Sequence, residues 1–163
     1  MENIPISKAG YELKKEELEK LKAERPGIIQ AIAEAREEGD LSENAGYHAA
    51  RERQGWLEAK IDFIQSRMPY YNVIDPAEMD GSRVAFSATV EIENIETEEV
   101  STYVLMGPDE TDFYAGSISI ISPVGRALLG KEEGDEVIIE VPKGKVEYEI
   151  LSVSFDNPQP KSS

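Results

Sequence analysis

The sequence contains no cysteine and only one histidine, His48, in 163 residues. The absence of cysteine excludes a disulfide scaffold, a cysteine-ligated zinc site and a thiol nucleophile, and it agrees with a cytoplasmic location. A single histidine excludes a metal centre built from several histidines. No apolar run approaches the roughly 20 residues of a membrane span, and no basic segment precedes an apolar one. We therefore expect neither a transmembrane protein nor an ordinary secretion signal.

Positive charge is also in short supply. The chain carries 17 Lys and Arg against 33 Asp and Glu, a formal net charge of −16. This balance argues against a broad electrostatic grip on nucleic acid, because phosphate binding depends on clustered basic residues. Hydrophobic residues make up 40% of the chain, which is enough to bury a core and to exclude wholesale disorder.

Charge and composition both change near Asp75. Residues 1–75 carry 11 basic and 15 acidic residues, a net of −4, and residues 76–163 carry 6 and 18, a net of −12. The first part is rich in strong helix formers, and the second has short β-branched runs separated by Gly and Pro. We predict an α+β protein with a helical domain at 1–75, a β-sheet domain at 76–156 and a frayed C-terminal tail at 157–163.

Apolar residues recur at alternating steps of three and four on both sides of Gly39. The two seams consist of Leu18, Leu21, Arg25, Ile28, Ile32 and Ala35, and of Tyr47, Ala50, Gln54, Leu57, Ile61, Ile64 and Met68. This heptad spacing predicts two helices packed as an antiparallel coiled-coil hairpin. With about 25–28 residues in each arm, the hairpin would project roughly 40 Å.

Each seam contains one polar residue. We expect Arg25 to stack on Trp56 or to bond Gln54, and thereby to fix the register of the two arms. Pro26 lacks the N–H that a helix interior needs, so it predicts a local kink in the first arm.

The predicted turn between the arms is rich in capping residues. Gly39 is expected to end the first helix, and Asp40 or Ser42 to cap the second, with Glu43 completing a pattern close to a capping box. A second interpretation stays open, because the apolar Leu41 has little to pack on at the end of a projection. Two carboxylates three residues apart suit Mg²⁺ but form an incomplete site, which a partner would have to complete.

The second half predicts a compact sheet curled around one short helix. Pro123 and Gly130 bound the helix and Ser122 caps it. The acidic run at 91–99 is expected to be a solvated hairpin, and a second hairpin turns at 142–145. This half has no histidine or cysteine, so it offers no nucleophile–base pair. The predicted strands span residues 84–92, 100–105, 117–121, 137–141 and 146–153.

The segment from Ala33 to Glu52, AEAREEGDLSENAGYHAARE, resembles the signature of the GreA type of the bacterial Gre transcript-cleavage factor family. The segments VIDP at 73–76, SIISPVGRALLGK at 119–131 and GD at 134–135 resemble the same family at the expected distances. The resemblance covers nearly the whole chain. It implies an N-terminal antiparallel coiled-coil hairpin followed by a C-terminal FKBP-like β-sheet domain with one short helix.

The resemblance also implies a function. Such a transcription elongation factor binds RNA polymerase, inserts its coiled-coil tip through the secondary channel, and stimulates the polymerase's intrinsic cleavage of backtracked RNA 3′ ends. It would not be an enzyme by itself but would supply acidic residues in trans. No cofactor is expected in the isolated protein, and the Mg²⁺ of the polymerase active site would support two-metal hydrolysis. The expected state is a monomer with no membrane partner.

The family motif assigns roles to five residues of the tip. Asp40 and Glu43 would be the catalytic carboxylates and would contact Mg²⁺ within the polymerase complex. Leu41, Ser42 and Asn44 would support the tip.

The resemblance extends to two further pairs of residues. Arg36 and Arg51 would contact the RNA 3′ segment, although partners of neighbouring Glu residues on the helix surface are an equally good interpretation. Ser122 and Pro123 would lie in the loop that docks on the polymerase, or would serve only as helix-cap residues.

One position departs from the family pattern, because Gly46 stands where Glu is common. The change removes a negative charge near the tip and weakens the second helix by about 1 kcal/mol. It leaves Asp40 and Glu43 in place.

Two other functions stay open. A channel-binding inhibitor of RNA polymerase would share both domains, although such paralogues alter the tip. The FKBP-like topology also allows a peptidyl-prolyl isomerase or chaperone, but fold alone is a weak argument for function. The aromatic residues available for an isomerase pocket are Phe86, Tyr103, Phe113, Tyr114, Tyr148 and Phe155.

Overall fold

The computed structural model describes residues 3–40, 42–75, 81–156 and 158–161. The chain forms two compact units: the hairpin unit, residues 12–70, and the sheet unit, residues 1–11 together with 71–163. This division differs from the boundary predicted near Asp75. Strand β1 (Ile4–Ser7) pairs in parallel with strand β2 (Tyr71–Ile74), so both segments flanking the hairpin belong to the sheet unit.

The described residues of the hairpin unit form three helices, the first of which begins in the sheet unit. They are α1 (Lys8–Ala23), α2 (Arg25–Glu37) and α3 (Ala45–Arg67), and a 3₁₀ turn follows at Met68–Tyr70. The predicted seam is confirmed, since α2 and α3 pack together and the apolar seam positions form one cluster with half-buried Tyr47 and Met68 at its edges. The buried members of that cluster are Leu18, Leu21, Ile28, Ile32, Ala50, Leu57, Ile61 and Ile64.

The first arm is interrupted at Glu24. Pro26 occupies the second position of α2, where a missing N–H removes no intrahelical hydrogen bond. Ile28 N still donates to Glu24 O at 3.2 Å. Pro26 therefore begins a new helix rather than disturbing the interior of a continuous one.

The predicted partner of Arg25 was wrong. Its Nε and Nη2 donate to the two carboxylate oxygens of Glu58, at 2.8 and 2.7 Å, in a bidentate pair between the arms. Glu58 lies one helical turn beyond Gln54. Hydrogen bonding in this pair raises the pKa of Arg25 and lowers the pKa of Glu58. Trp56, the other expected partner, is 59% exposed.

In its described residues, the sheet unit contains a five-stranded sheet and, besides the start of α1, one α-helix, α4 (Pro123–Leu128). Its strands are β3 (Thr89–Asn94), β4 (Val100–Met106), β5 (Ser117–Ser119), β6 (Glu136–Val141) and β7 (Gly144–Ser154), in the spatial order β5-β4-β3-β7-β6. All neighbours are antiparallel except β4 and β5. Leu128 of α4 packs into the core with Val90, Leu105 and Ile150. The predicted α+β architecture is confirmed.

The strand predicted at 84–92 begins only at Thr89. Val84, Phe86 and Ala88 are buried, as their alternation predicts. The backbone between them is a turn, in which Ala88 N donates to Ala85 O at 3.0 Å and Ser87 has φ +72°. Apolar alternation thus reports burial correctly but does not reveal a local reversal of the backbone.

Replacing Ser87 with Gly is expected to stabilise the protein by about 1 kcal/mol. Ser87 is 1% exposed, and its Oγ has no hydrogen-bond partner among the described residues. Gly removes this buried hydroxyl and adopts positive φ without strain, although it costs roughly 0.5–1 kcal/mol in chain entropy. Urea unfolding measures the change, with Ser82→Gly, an exposed position without positive φ, as the control. A Ser87→Gly protein less stable than the wild type would contradict this account.

Part of the C-terminal tail packs against the sheet unit. Lys161 N donates to Phe113 O at 2.6 Å, and Pro158 and Pro160 are half-buried. The expectation of a frayed tail was therefore wrong for residues 158–161. Within the described ranges, no helix is long and apolar enough to cross a lipid bilayer.

Candidate functional site

The turn between α2 and α3 begins as predicted and ends differently. Gly39 follows the last turn of α2 with φ +111°, a conformation that favours glycine, and its N–H donates to Arg36 O at 3.3 Å. The N-cap of α3 is Asn44, whose Oδ1 accepts from Tyr47 N at 3.0 Å. Asn44 Nδ2 also donates to Ala35 O of α2 at 2.7 Å, so one side chain ties the two arms together.

The predicted capping by Asp40 or Ser42 was therefore wrong. Asp40 Oδ1 instead accepts from Ser42 N at 3.0 Å and from Ser42 Oγ at 2.8 Å, which is an Asx turn. These hydrogen bonds, the hydroxyl first, hold the pKa of Asp40 below its usual range. Both bonds engage Oδ1, and Asp40 is an exposed residue. Asp40 is thus an ionised carboxylate at the tip that does not cap a helix.

Glu43 is the second exposed carboxylate of the tip and directly precedes the N-cap. Its charge lies at the end of α3 where the helix dipole favours an anion. Leu41, the predicted apolar support, lies outside the described residues. Gly46, at the second position of α3, is exposed, and a Cβ built there would come within 3.4 Å of Asn44 Oδ1.

Sequence reasoning missed a contact that braces the tip. His48 Nε2 lies 3.3 Å from Ser42 O, so the only histidine of the chain reaches back across the turn. The His48 ring also packs edge-on against Tyr47, with centroids 5.5 Å apart. His48 lies one turn into α3, and this position close to the tip was the sequence feature that could have indicated the contact.

Arg36 and Arg51, one on each arm, line the same groove near the tip. The groove encloses a volume of about 210 Å³ and is lined by Ile29, Ile32, Ala33, Arg36, Arg51 and Gln54. Neither arginine forms an ion pair among the described residues, so the structure does not support the alternative of helix-surface pairing with neighbouring Glu. The Arg36 guanidinium lies 5.9 Å from the centroid of the Tyr47 ring.

The predicted docking loop precedes α4 in the sheet unit. Ser122 Oγ accepts from Gly125 N at 3.1 Å and donates to Ser119 O at 2.7 Å, which confirms its capping role. Gly125 is required here, because a Cβ would lie only 2.4 Å from Ser119 O. Pro123 and Ile121 are the exposed residues of this loop.

The aromatic residues considered for an isomerase pocket are used in packing. Phe86 and Tyr114 are buried in one cluster with Met106, and Phe113 packs against that cluster. Tyr103, Tyr148 and Phe155 pack against the main sheet core.

A buried polar network around Glu110 was also missed. Glu110 is fully buried, and its Oε2 accepts from Ser7 N at 2.8 Å and from Gly107 N at 3.0 Å. Ser7 Oγ donates to Oε1 and lies 2.7 Å from the Tyr114 hydroxyl. Burial raises the pKa of Glu110, although the hydrogen bonds from Ser7 oppose this, and it raises the pKa of Tyr114 to about 12. The network joins β1 to the loop after β4.

Replacing Ser42 with Ala is expected to raise the pKa of Asp40. The hydroxyl bond is the main cause of the lowered pKa, and the backbone N–H of residue 42 remains after the substitution. Carboxyl-carbon NMR of the isolated protein follows the titration, with Ser66→Ala in α3 as a control away from the tip. An unchanged Asp40 titration would show that the Asx turn does not tune this carboxylate.

These features define a class: a protein that presents an ionised acidic turn at the tip of a helical hairpin and carries a separate β-sheet unit. Comparison with known protein families then shows which family the chain belongs to. The model "Transcription elongation factor, N-terminal" matches residues 4–73, and "Transcription elongation factor, GreA/GreB, C-term" matches residues 79–155. The chain belongs to the GreA/GreB family of transcription elongation factors, as its sequence motifs predict.

Two relatives of known family are similar in sequence to this chain over almost its full length. The transcription elongation factor GreA of Maridesulfovibrio salexigens is 61% identical over 158 residues, covering 97% of this chain and 99% of that protein. The GreA protein of Nitratidesulfovibrio vulgaris Miyazaki F is 60% identical over 156 residues, covering 96% and 98%. Among solved structures, GreA factor homolog 1 of Thermus thermophilus is 27% identical, with a TM-score of 0.44 and coverage of 93% and 99%.

Proposed function

We propose that this elongation factor binds RNA polymerase, inserts its hairpin tip through the secondary channel, and supplies carboxylates in trans for cleavage of backtracked RNA 3′ ends. One observation carries the proposal above all. Asn44 caps α3, and this leaves Asp40 as an exposed carboxylate that its bonds to Ser42 keep ionised.

The donor set at the tip suits Mg²⁺, because carboxylate oxygens are the hard ligands that this ion prefers. The described residues contain no group of three or more potential ligands arranged to hold a metal. Asp40 and Glu43 would therefore contribute to a site whose other ligands belong to the polymerase. A Mg²⁺ ion held there supplies water activation and stabilises developing negative charge on phosphate.

The chain's own residues would position this chemistry. Asp40 contributes a fixed negative charge, and Glu43 adds a carboxylate that can orient an attacking water. Ser42 sets the direction of Asp40 through its two hydrogen bonds, while Asn44 and His48 hold the turn against the ends of the helices. The tip thus needs little reorganisation when it reaches a substrate.

Contact with RNA would be confined to the groove lined by Arg36 and Arg51. Guanidinium groups bind phosphate oxygens through paired hydrogen bonds, and the groove brings one such group from each arm together. This local contact is compatible with a net charge of −16, because the hairpin carries little of the acidic excess. Docking on the polymerase would involve Ser122 and Pro123, with Pro123 exposed and Ser122 shaping the loop.

The test is a cleavage assay on stalled, backtracked polymerase complexes with Mg²⁺, with and without the purified protein. Release of short 3′-terminal RNA fragments that depends on the protein supports the proposal. Slower elongation with no fragments would instead identify a channel-binding inhibitor. Turnover in a proline-isomerisation assay, with no effect on the polymerase, would support an isomerase.

A further inference from the structure

Two large aromatic side chains are exposed on the flank of α3. Trp56 is 59% exposed and Phe63 is 56% exposed, and neither belongs to the buried seam. They are seven residues apart, so they lie on the same side of the helix, roughly 10 Å apart along its axis. Exposed aromatic residues in such a row are typical of a contact surface rather than of a solvated helix face.

A basic residue covers each of these aromatic rings. Lys60 Nζ lies 4.4 Å from the Trp56 ring centroid, and Arg67 Cζ lies 5.0 Å from the Phe63 ring centroid. We call these four residues, Trp56, Lys60, Phe63 and Arg67, the aromatic–cation stripe. Each pair is four residues apart, which places the cation directly over its ring.

The charge of α3 contrasts with that of the whole chain. Helix α3 contains four Lys or Arg and three Asp or Glu, a net of +1, in a chain of net −16. One of the three acidic residues, Glu58, is paired with Arg25 of α2. Among the described residues, Lys60 forms no ion pair, so its charge is available to a carboxylate of another molecule.

This composition fits a protein surface better than a nucleic acid. Base stacking needs an open ring face, and here a cation already occupies one face of each ring. Three of the four stripe residues, Trp56, Phe63 and Arg67, are of types enriched at protein–protein interfaces. The complementary surface is apolar, with carboxylates at its rim.

We propose that the aromatic–cation stripe docks against an apolar, carboxylate-rimmed protein surface on the wall of the polymerase secondary channel. This inference rests on the proposed function. The stripe begins about 18 Å and ends about 35 Å behind Asn44 along α3, at 1.5 Å per residue. A hairpin that reaches an internal site through a channel presents this part of its flank to the channel wall.

The test compares two double variants of the full-length protein, Trp56→Ala/Phe63→Ala and Lys60→Glu/Arg67→Glu. We expect each to bind the polymerase about 10-fold or more weakly, because such residues carry much of an interface's affinity. Cleavage should fall at limiting protein and largely recover at saturating protein, since the tip is unchanged. Lys8→Glu/Lys20→Glu, with the same change in charge at two exposed positions, is the matched control. Circular dichroism confirms that the variants are folded.

The outcomes separate the inference from the function on which it rests. If both double variants bind the polymerase with wild-type affinity, the proposed docking of the stripe is wrong, while the proposed cleavage function is unaffected. Absence of RNA cleavage with the wild-type protein overturns the proposed function itself. Two further results would overturn the proposed occupant: dimerisation measured by sedimentation that the variants abolish, or binding of a single-stranded RNA oligonucleotide that they abolish.

Discussion

Asp40→Asn is expected to lower the rate of stimulated RNA cleavage by at least about 100-fold, with binding to the polymerase retained. Asn keeps the side-chain oxygen that accepts from Ser42 N and Ser42 Oγ, so the Asx turn survives the substitution. Only the negative charge is lost. In the proposed function, the negative charge of Asp40 would help to hold Mg²⁺ and to position water, and a neutral amide is a weaker ligand for this cation. Fragment release from backtracked complexes at saturating protein measures the effect.

Other carboxylates of the hairpin unit provide a second test and two matched controls for this experiment. Glu43→Gln should give a loss of the same order, since Glu43 is the second exposed acid of the turn. Glu38→Gln removes an exposed charge at the C-cap of α2 and should have little effect. Asp62→Asn makes the same chemical change on the exposed surface of α3, away from the tip. If Asp40→Asn cleaves at the wild-type rate, the acidic tip does not take part in the chemistry.

Glu110→Ala is expected to reduce the free energy of unfolding by about 3–4 kcal/mol. The substitution leaves the buried N–H groups of Ser7 and Gly107 without their acceptor, each at a cost of roughly 1–3 kcal/mol. It also opens a cavity where the side chain was. Urea unfolding measures the loss, with Asp112→Ala, an exposed acid two residues along the chain, as the control. Equal stability of the two variants would show that the network contributes nothing.

The burial of the Glu110 carboxyl group also predicts that the stability of the folded protein depends on pH. Burial raises the pKa of Glu110 in the folded protein above that in the unfolded chain, so folding favours the neutral form. Its contribution to stability is therefore fully present below the unfolded pKa and is lost as pH rises through the folded pKa. Glu110→Gln stays neutral and should lack this component of the stability–pH curve. Identical stability–pH curves for the wild type and Glu110→Gln would contradict this predicted pH dependence.

The local sequence pattern was sufficient to predict the elements whose formation depends on residues close together in the sequence. The heptad seams predicted the hairpin, because a helix buries every third or fourth residue whatever lies elsewhere in the chain. Ser122, Pro123 and Gly130 predicted α4 for the same reason, since cap and stop signals act within one turn. The tip motif likewise pointed to the transcription-factor family that the comparisons show.

The hydrogen bonding of the predicted tip residues could not be read from the sequence. Asp40, Ser42 and Asn44 are all favourable N-cap residues, so composition could not decide which one caps α3. The structure chooses Asn44, whose amide also reaches Ala35 on the opposite arm. That choice depends on how closely the two arms approach at the turn. Because Asn44 caps α3, Asp40 accepts hydrogen bonds from Ser42 instead of capping the helix.

The sequence by itself determined the helical hairpin, the β-rich second half and the acidic tip, because periodicity, capping signals and charge act over a few residues. Tertiary structure alone decided the Arg25–Glu58 pair, the parallel pairing of β1 with β2 and the burial of Glu110. Each of these joins residues far apart in the chain, and many chemically equivalent partners compete for each one. The winning partner is set by the packed geometry, which no local pattern encodes.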